Sequence, residues 1–324
     1  VSMFVIVFAV YPIAAVVFKR ANITKNLLPG CICLGAGTFV MTALPGSPTT
    51  INVVATQYLG TTIWAAPILG TILAVLMFVL GTLYLLHEEK RYREKGEGFE
   101  AGENEYIQDI TEETRQNAPN FILSVLPVVI IFGFNVVGTK LGINATYAVC
   151  LGMAASIIYI WLIAHKRIES VFACLNKGCT NSIGAIINTS AIIGFGGVVK
   201  MTPAFGAITN FALNLPFAPI ISAVLATGIL AGVTTSSTGG LTLFLEMLGA
   251  EFLAKGINPE VMHRLCAIAS GTLDSLPHSG PNLTLCMVIG VTMKHAYKHM
   301  GMITCVLPTI AVIVGVILAF MGVC

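Results

Sequence analysis

The chain has 324 residues, of which 56% are hydrophobic and only 10% are charged, and its mean hydropathy is +0.88. Its 17 Lys/Arg and 15 Asp/Glu leave no strongly basic surface for nucleic acid, and no H-E-x-x-H, P-loop or G-x-S-x-G motif indicates an enzyme. The composition predicts an all-α membrane protein and excludes a soluble catalytic domain.

Several apolar windows approach or exceed the roughly 18 to 20 residues that span a bilayer. In chain order these windows are 63–86, 121–137, 147–164, 217–233 and 302–321. The chain opens on Val1-Ser2-Met3-Phe4, without an initiator Met and within an apolar stretch. That opening predicts an N-terminally truncated copy of a longer protein.

A short sequence with helix-breaking residues occurs twice in apolar surroundings, as LPGSPT at 44–49 and as LPHSGPN at 276–282. Proline and glycine interrupt a helix and free backbone polar groups, which lipid cannot satisfy. Such a segment must be buried or must line a wet cavity. Two matching breaks in two halves of a chain predict the binding site of a secondary transporter.

The segment 87–116 is hydrophilic and holds ten Asp/Glu and five Lys/Arg. This composition predicts a partly disordered cytoplasmic loop, with a binding role as the alternative. The predicted organisation is therefore a first-repeat remainder at 1–86, a loop at 87–118 and a second repeat at 119–324. The second repeat includes scaffold helices, a hairpin tip at 234–240, a broken helix around 276–282 and a C-terminal helix.

Clusters of Lys and Arg mark the cytoplasmic side of a membrane protein. They follow the first helix at Lys19 and Arg20, the third element at 90–95, and the window 147–164 at 166–167. With these loops inside, the two broken segments cross in opposite directions. Fragments VSMF at 1–4 and LTLF at 241–244 precede the breaks in the same order. The sequence thus predicts inverted repeats.

Seven small polar or glycine residues, TTSSTGG at 234–240, separate two apolar legs. They predict the tip of a re-entrant hairpin or a helix break, with an ordinary extramembrane turn as the alternative. Hydroxyls at the tip and at both breaks would line a site for a hydroxylated or short organic acid, together with the positive ends of half-helices. The predicted substrate-binding residues are Ser47, Thr49, Thr50, Thr235, Ser236, Ser237, Thr238, Ser279, Asn282 and Thr284.

Acids within membrane segments are costly and predict function. Asp274 lies two residues before the second break, and His278 follows four positions later, so the two could share a proton. The alternative is that Asp274 caps a half-helix and His278 binds a carbonyl. Glu246 is the third candidate for proton coupling, or else a partner for a basic residue. Nine cysteines show no C-x-x-C pair, so no metal site and no cofactor are predicted.

These residues resemble the gluconate permease family of the ion-transporter superfamily, through VSMFVIVFAVYP at 1–12, MTALPGSP at 41–48 and DSLPHSG at 274–280. The resemblance covers essentially the whole chain. It implies an inverted-repeat bundle with two re-entrant hairpins and two broken helices, an elevator motion and a homodimer. Family members are longer at the N-terminus, so this chain alone would lack one hairpin tip and is not expected to transport by itself.

The resemblance and the residues together predict a proton-coupled symporter of a small organic carboxylate, gluconate or a related sugar acid, in the bacterial cytoplasmic (inner) membrane. Alternatives within transport are a short hydroxy acid such as 3-hydroxybutyrate and sodium as the coupling ion. A passive anion channel is the alternative of another class.

Overall fold

The computed structural model describes residues 3–100, 120–143, 145–165, 170–176, 178–180 and 215–324, and the single positions 183, 187, 190, 198, 201 and 211. Over these residues the chain is helical, with turns and short irregular links and no strand. It divides into two compact units, one of Val1–Gln108 with Thr189–Cys324 and the other of Asp109–Asn188.

The helices are numbered here along the described chain. They are α1 (Met3–Ala21), α2 (Lys25–Ala43), α3 (Thr50–Leu59), α4 (Pro67–Glu94), α5 (Phe121–Lys140), α6 (Ala145–Ala164), α7 (Pro219–Thr234), α8 (237–254), α9 (Pro259–Ser270), α10 (Gly280–Ile289) and α11 (Met293–Phe320). Four of the described helices are long and apolar enough to cross a membrane, namely α2, α4, most of α6, and α11. Helices α2, α8 and α11 each contain a π-helical segment.

Two stretches of the first unit have the same order of elements. In each, a ten-residue helix (α3 or α10) ends at a left-handed glycine, Gly60 or Gly290, and a 28-residue helix (α4 or α11) follows. Glycine is favoured there because the left-handed conformation has no steric cost without a Cβ. Packing is reciprocal as well, since α1 contacts α10 while α8 contacts α3.

The two 28-residue helices run antiparallel to each other. A methyl group at Gly315 of α11 would lie 2.7 Å from Leu73 of α4, and one at Gly81 would lie 3.1 Å from Leu307. Further along α4, Glu88 accepts a hydrogen bond of 2.8 Å from Lys298 Nζ. Rising residue numbers along α4 therefore pair with falling residue numbers along α11, as in antiparallel helices.

Helices α7 and α8 form a tight hairpin whose turn is shorter than the sequence predicts. The turn consists of Thr235, with φ of 49°, and Ser236, whose Oγ accepts the Gly239 N–H at 3.1 Å. Residues 237–240, which the sequence places in the tip, are already the first turn of α8. Ser236 starts the helix as its N-cap, and a Cβ at Gly240 would lie only 2.3 Å from the Ala231 backbone.

Helix α4 continues eight residues beyond position 86, where the sequence predicts that the hydrophilic loop begins. Its last turns carry charges spaced three or four residues apart, and Glu89 accepts from Arg93 while Glu88 accepts from Arg91. Such pairs stabilise a helix in water. The hydrophilic pattern of 87–94 therefore marks a charged helix end and not a loop.

The second unit contains a helix pair, α5 and α6, with a proline inside α5. Pro127 has no N–H, so the Leu123 carbonyl loses its helical donor. Tyr159 Oη of α6 donates to that carbonyl at 3.2 Å, and Ser156 Oγ donates to the Pro127 carbonyl at 2.8 Å. The Tyr159 hydroxyl thus satisfies the backbone carbonyl that the proline leaves without a donor and that lipid could not satisfy.

Candidate functional site

The first helix break lies where the repeated LPGSPT sequence predicts it. Helix α2 ends at Ala43 and α3 begins at Thr50. Gly46 has φ of 76°, and a Cβ there would lie 2.5 Å from the Trp64 ring. The Gly46 N–H donates to the Ile63 carbonyl at 3.0 Å. The segment that follows α3 thus folds back along the break and satisfies part of its backbone.

Asn52, the third residue of α3, fixes the end of this break. It is fully buried, and its Nδ2 donates to the Ser47 carbonyl at 2.9 Å. Its Oδ1 accepts from Arg264 Nη1 at 3.1 Å and lies 3.3 Å from His263 Nε2. The other ring nitrogen of His263 lies 2.7 Å from Thr61 Oγ1, so the hydroxyl can donate to Nδ1 while Nε2–H donates to Asn52.

Arg264 on α9 is a fully buried cation whose hydrogen bonds go to neutral oxygens. Besides Asn52, its guanidinium donates to the carbonyls of Thr42 (3.3 Å), Ile63 (3.2 Å) and Ala65 (3.1 and 2.8 Å). No carboxylate is among its hydrogen-bond partners in the described chain. Within the described chain, the guanidinium at the first break is therefore bonded to the dipoles of neutral oxygens and not directly to an acid.

The sequence analysis did not single out Arg264 as a candidate site residue. In the structure α9 begins at Pro259 and contains Arg264 in its middle. A signal was present in Asn258-Pro259-Glu260: the Asn258 side chain accepts the Glu260 N–H at 2.9 Å as an N-cap, and proline occupies the first helical position. Reading these residues as a helix start would have placed Arg264 inside an apolar helix.

The second break is longer than the sequence predicts, since α9 ends at Ser270 and α10 begins at Gly280. It starts before the predicted position 276 because Thr272 ends the helix locally. Its N–H and Oγ1 both donate to the Ala269 carbonyl, at 3.0 and 2.7 Å. The remaining break residues include Asp274 and the repeated LPHS sequence.

Asn282, the third residue of α10, repeats part of the geometry of Asn52. It is fully buried, and its Nδ2 donates to the Ser275 carbonyl of the break at 2.7 Å. Its Oδ1, in contrast, is buried without a hydrogen-bond partner among the described residues.

Asp274 lies in the same break and is also buried, with 9% of its surface exposed. Its Oδ1 has no hydrogen-bond partner within the described chain. The carboxyl group lies beside the hydroxyls and backbone amides of Ser275 and Ser237. Because Ser237 is the first residue of α8, the carboxyl group is at the positive end of that helix.

The two breaks and the hairpin meet within the first unit. A methyl group at Gly271 would lie 3.4 Å from Thr42 Cγ2, so the ends of α2 and α9 touch. Gly228 and Gly232 of α7 allow the hairpin to approach the second break, since added methyl groups would lie 3.0 Å from Thr272 Oγ1 and 3.1 Å from Leu273 Cβ. Helix α8 packs on α3 in turn.

The predicted substrate-binding residues differ in burial. Those that are buried are Ser47, Ser237, Ser279 and Asn282; those that are half-buried are Thr49, Thr235, Ser236, Thr238 and Thr284; Thr50 is exposed. Two of the hydroxyls serve the backbone, because Thr49 donates to the Met41 carbonyl and Thr284 to that of Gly280. The structure places all ten at the breaks or at the hairpin turn and first turn of α8.

The three predicted proton-coupling residues are not brought together. His278 is exposed, and no hydrogen bond joins it to Asp274 in the described structure. Glu246 is half-buried in the π-helical segment of α8 and acts electrostatically on Tyr58 of α3. Among the three, Asp274 is the acid that lies within a helix break.

The helices and their apolar lengths define a membrane protein. Over 347 aligned residues the chain is 35% identical to the uncharacterized transporter YxjC of Bacillus subtilis (strain 168), an alignment that covers 94% of this chain and 72% of that protein. The chain belongs to the family of this transporter. No family model matches the sequence, and no solved structure matches it.

Proposed function

We propose that the protein is a multi-pass secondary active transporter of a bacterial cytoplasmic membrane that moves a small organic carboxylate together with a proton. The observation that carries this proposal is the buried Asp274, whose Oδ1 has no donor in the described chain, at the place where two helix breaks and a hairpin meet. Gluconate or a related sugar acid is the proposed substrate, and a short hydroxy acid is the alternative.

The charge at the first break supports an anionic substrate. In the described chain the buried Arg264 has no acid among its hydrogen-bond partners, and at an effective dielectric constant of 20 a negative unit charge about 8 Å away would be stabilised by about 2 kcal/mol. Helices α3 and α10 both begin without a side-chain cap, so their first N–H groups are available to a carboxylate. Ser47 and Ser279 add hydroxyls at the two breaks.

Proton coupling is assigned to Asp274 in preference to the two other candidates. A buried carboxyl group without a complete set of donors costs free energy when charged, so its charge is readily coupled to binding nearby. His278 is exposed, and Glu246 lies about two and a half helical turns beyond Ser237 on α8. Either could still serve the route by which the proton arrives.

Alternating access is the proposed means of transport. Support for inverted repeats comes from the equal lengths of α3 and α10, the antiparallel course of α4 and α11, and the reciprocal contacts of α1 with α10 and α8 with α3. An inverted pair has two related conformations that open to opposite sides. In the proposal the breaks and the hairpin move together as an elevator, in a homodimer within the lipid membrane.

The test is uptake of a panel of labelled acids into proteoliposomes that contain the full-length protein. An imposed inward proton gradient should accumulate one class of acid above its own electrochemical equilibrium, and a sodium gradient at equal pH should not. Accumulation driven by sodium alone would replace the proton by sodium. Uptake that never exceeds equilibrium would indicate a channel and overturn the proposal.

A further inference from the structure

The two helix breaks contain asparagines in the same local position. Each is the third residue of the ten-residue helix that follows its break, is fully buried, and donates from Nδ2 to a break carbonyl, Ser47 for Asn52 and Ser275 for Asn282. The shared geometry leaves each Oδ1 as an acceptor inside the protein. What differs is the group that faces this oxygen.

At the first break the protein itself supplies a positively charged donor. Arg264 Nη1 lies 3.1 Å from Asn52 Oδ1, and all of its remaining hydrogen bonds are to carbonyl oxygens. A guanidinium does not lose its proton in proteins. This position therefore holds a permanent cation that cannot be exchanged during a transport cycle.

At the second break two acceptors are present and their donor is not provided by the described chain. Asn282 Oδ1 and Asp274 Oδ1 are both buried, and neither accepts a hydrogen bond. Both side chains adjoin Ser275, since Asn282 Nδ2 donates to its carbonyl and Asp274 precedes it. Leaving buried acceptors unsatisfied is costly, so the site favours a species that brings one positive charge and a donor.

A proton fits these acceptors better than a metal ion. A hard cation needs several oxygen ligands, but two carbonyls of this break are already engaged. The Ser275 carbonyl accepts from Asn282 Nδ2 and from Tyr297 Oη, at 2.7 and 3.2 Å, and the Leu276 carbonyl accepts from the Ser279 N–H at 2.8 Å. A protonated carboxyl group, in contrast, needs one acceptor for its O–H.

We infer that the transported proton is held jointly by Asp274 and Asn282, with protonated Asp274 donating to Asn282 Oδ1, and that Arg264 permanently fills the equivalent place beside Asn52. The inference rests on the proposed proton coupling and adds Asn282 as a positioning residue for the proton. The inference thus assigns Asn282 to proton binding, whereas the sequence analysis predicts it to bind substrate.

Other ionisable groups around Asp274 do not replace it in this role. Those that interact with it electrostatically are Cys33 on α2 and Tyr297 and Cys305 on α11. Cys286 on α10 interacts with Cys33, and α7 contains no ionisable residue. Thiols and phenols are neutral near pH 7, so the charge of this site changes through Asp274.

The test compares the pH at which uptake is half-maximal in two variants of Asn282. Asn282→Leu removes the acceptor, which should weaken proton binding about three- to tenfold and move the midpoint to lower pH by about half to one unit. Asn282→Asp keeps an oxygen acceptor and adds a second carboxylate, and paired carboxylates retain a proton more tightly. Its midpoint should move to higher pH by about one unit or more.

The matched control is Leu283→Ala, an exposed position of the same helix, which should keep the wild-type midpoint. If Asn282 served only to bind the Ser275 carbonyl, Asn282→Leu would lower the rate without moving the midpoint. That result, with proton-driven uptake by the wild type, overturns the inference and leaves the proposed function standing. A wild type without proton-driven uptake overturns both. If Asn282→Leu does not fold, Asn282→Ala removes the same acceptor, and its midpoint decides.

Discussion

The two helix breaks share a sequence motif and a buried asparagine, but they differ in how completely their polar groups are satisfied. At the first break Asn52 Oδ1 accepts from Arg264, and the guanidinium also donates to three backbone carbonyls, those of Thr42, Ile63 and Ala65. At the second break Asp274 Oδ1 and Asn282 Oδ1 lack donors in the described structure. We infer from the comparison that two breaks of similar sequence hold a fixed charge at one and, under the proposed coupling, an exchangeable proton at the other.

The packing around the two helix breaks also differs. At the first break a Cβ at Gly70 of α4 would lie 2.7 Å from the Ala43 carbonyl and 2.9 Å from Arg264 Nε, and Trp64 covers Gly46. At the second break a Cβ at Gly280 would meet no atom within 4 Å. The first break is thus closely enclosed, while the described residues leave room for a side chain at Gly280.

The largest expected effect comes from removing the fixed cation. Arg264→Met leaves Asn52 Oδ1 and three buried carbonyls without these donors, and we expect a loss of about 3 kcal/mol or more in the free energy of unfolding. Thermal unfolding in detergent measures it. Arg264→Lys should retain part of the stability because the charge remains. The exposed Lys294→Met is the control, and equal stability of Arg264→Met and this control would refute the role of the guanidinium.

The next effect is a loss of coupling at the second break. Asp274→Asn keeps the size of the side chain but cannot carry a proton, so accumulation driven by a pH gradient should fall to the level seen without a gradient. Exchange of labelled for unlabelled acid at equal pH should persist, because it needs no net proton movement. A variant that accumulates acid as the wild type does would remove Asp274 from the coupling mechanism.

Glycine substitutions sharpen the contrast in packing. Gly46→Ala meets both a positive φ and the Trp64 ring, and Gly70→Ala meets the Ala43 carbonyl, so each should lower the free energy of unfolding by about 1 to 3 kcal/mol. Gly35→Ala on α2 and Gly280→Ala at the second break meet nothing within 4 Å and serve as controls. Four equal melting temperatures would contradict the difference between the two breaks.

The smallest expected effect is at His278. Because this side chain is exposed and forms no hydrogen bond with Asp274 in the described structure, His278→Gln should leave proton-driven accumulation within about twofold of wild type. A loss as severe as that of Asp274→Asn would show that the proton passes through the imidazole, as the sequence spacing suggested.

Local sequence rules predicted most of the helices and the positions of both breaks, because proline, glycine and apolar length act locally. Two features escaped them. The hydrophilic residues 87–94 extend α4, since ion pairs and the contact of Glu88 with Lys298 stabilise helix where composition indicates a loop. Arg264 is buried because carbonyls from two distant segments surround it, and such convergence is a property of the fold that the sequence of α9 does not contain.

The sequence predicts an asymmetry between the two breaks, because only the second carries Asp274 and His278, but it does not predict the difference at the asparagines. Asn52 and Asn282 are alike in their place as the third residue of the following helix and in the bond that each Nδ2 makes. The group that faces each Oδ1 comes from α9 at the first break and is missing from the described chain at the second. Only the arrangement of helices in space distinguishes the asparagine whose Oδ1 accepts from Arg264 from the one whose Oδ1 has no donor in the described chain.

The central claim is that only the second of the two helix breaks binds a coupling proton. The number of protons carried per acid tests this claim most directly. In sodium-free proteoliposomes with the membrane potential clamped at zero, opposing gradients of labelled acid and pH are adjusted until net flux stops. One proton per acid predicts a null point at which a tenfold acid gradient balances one pH unit. If a tenfold acid gradient were balanced by half a pH unit, two protons would be carried per acid, and this would contradict the account. A null point that does not depend on pH would contradict it as well.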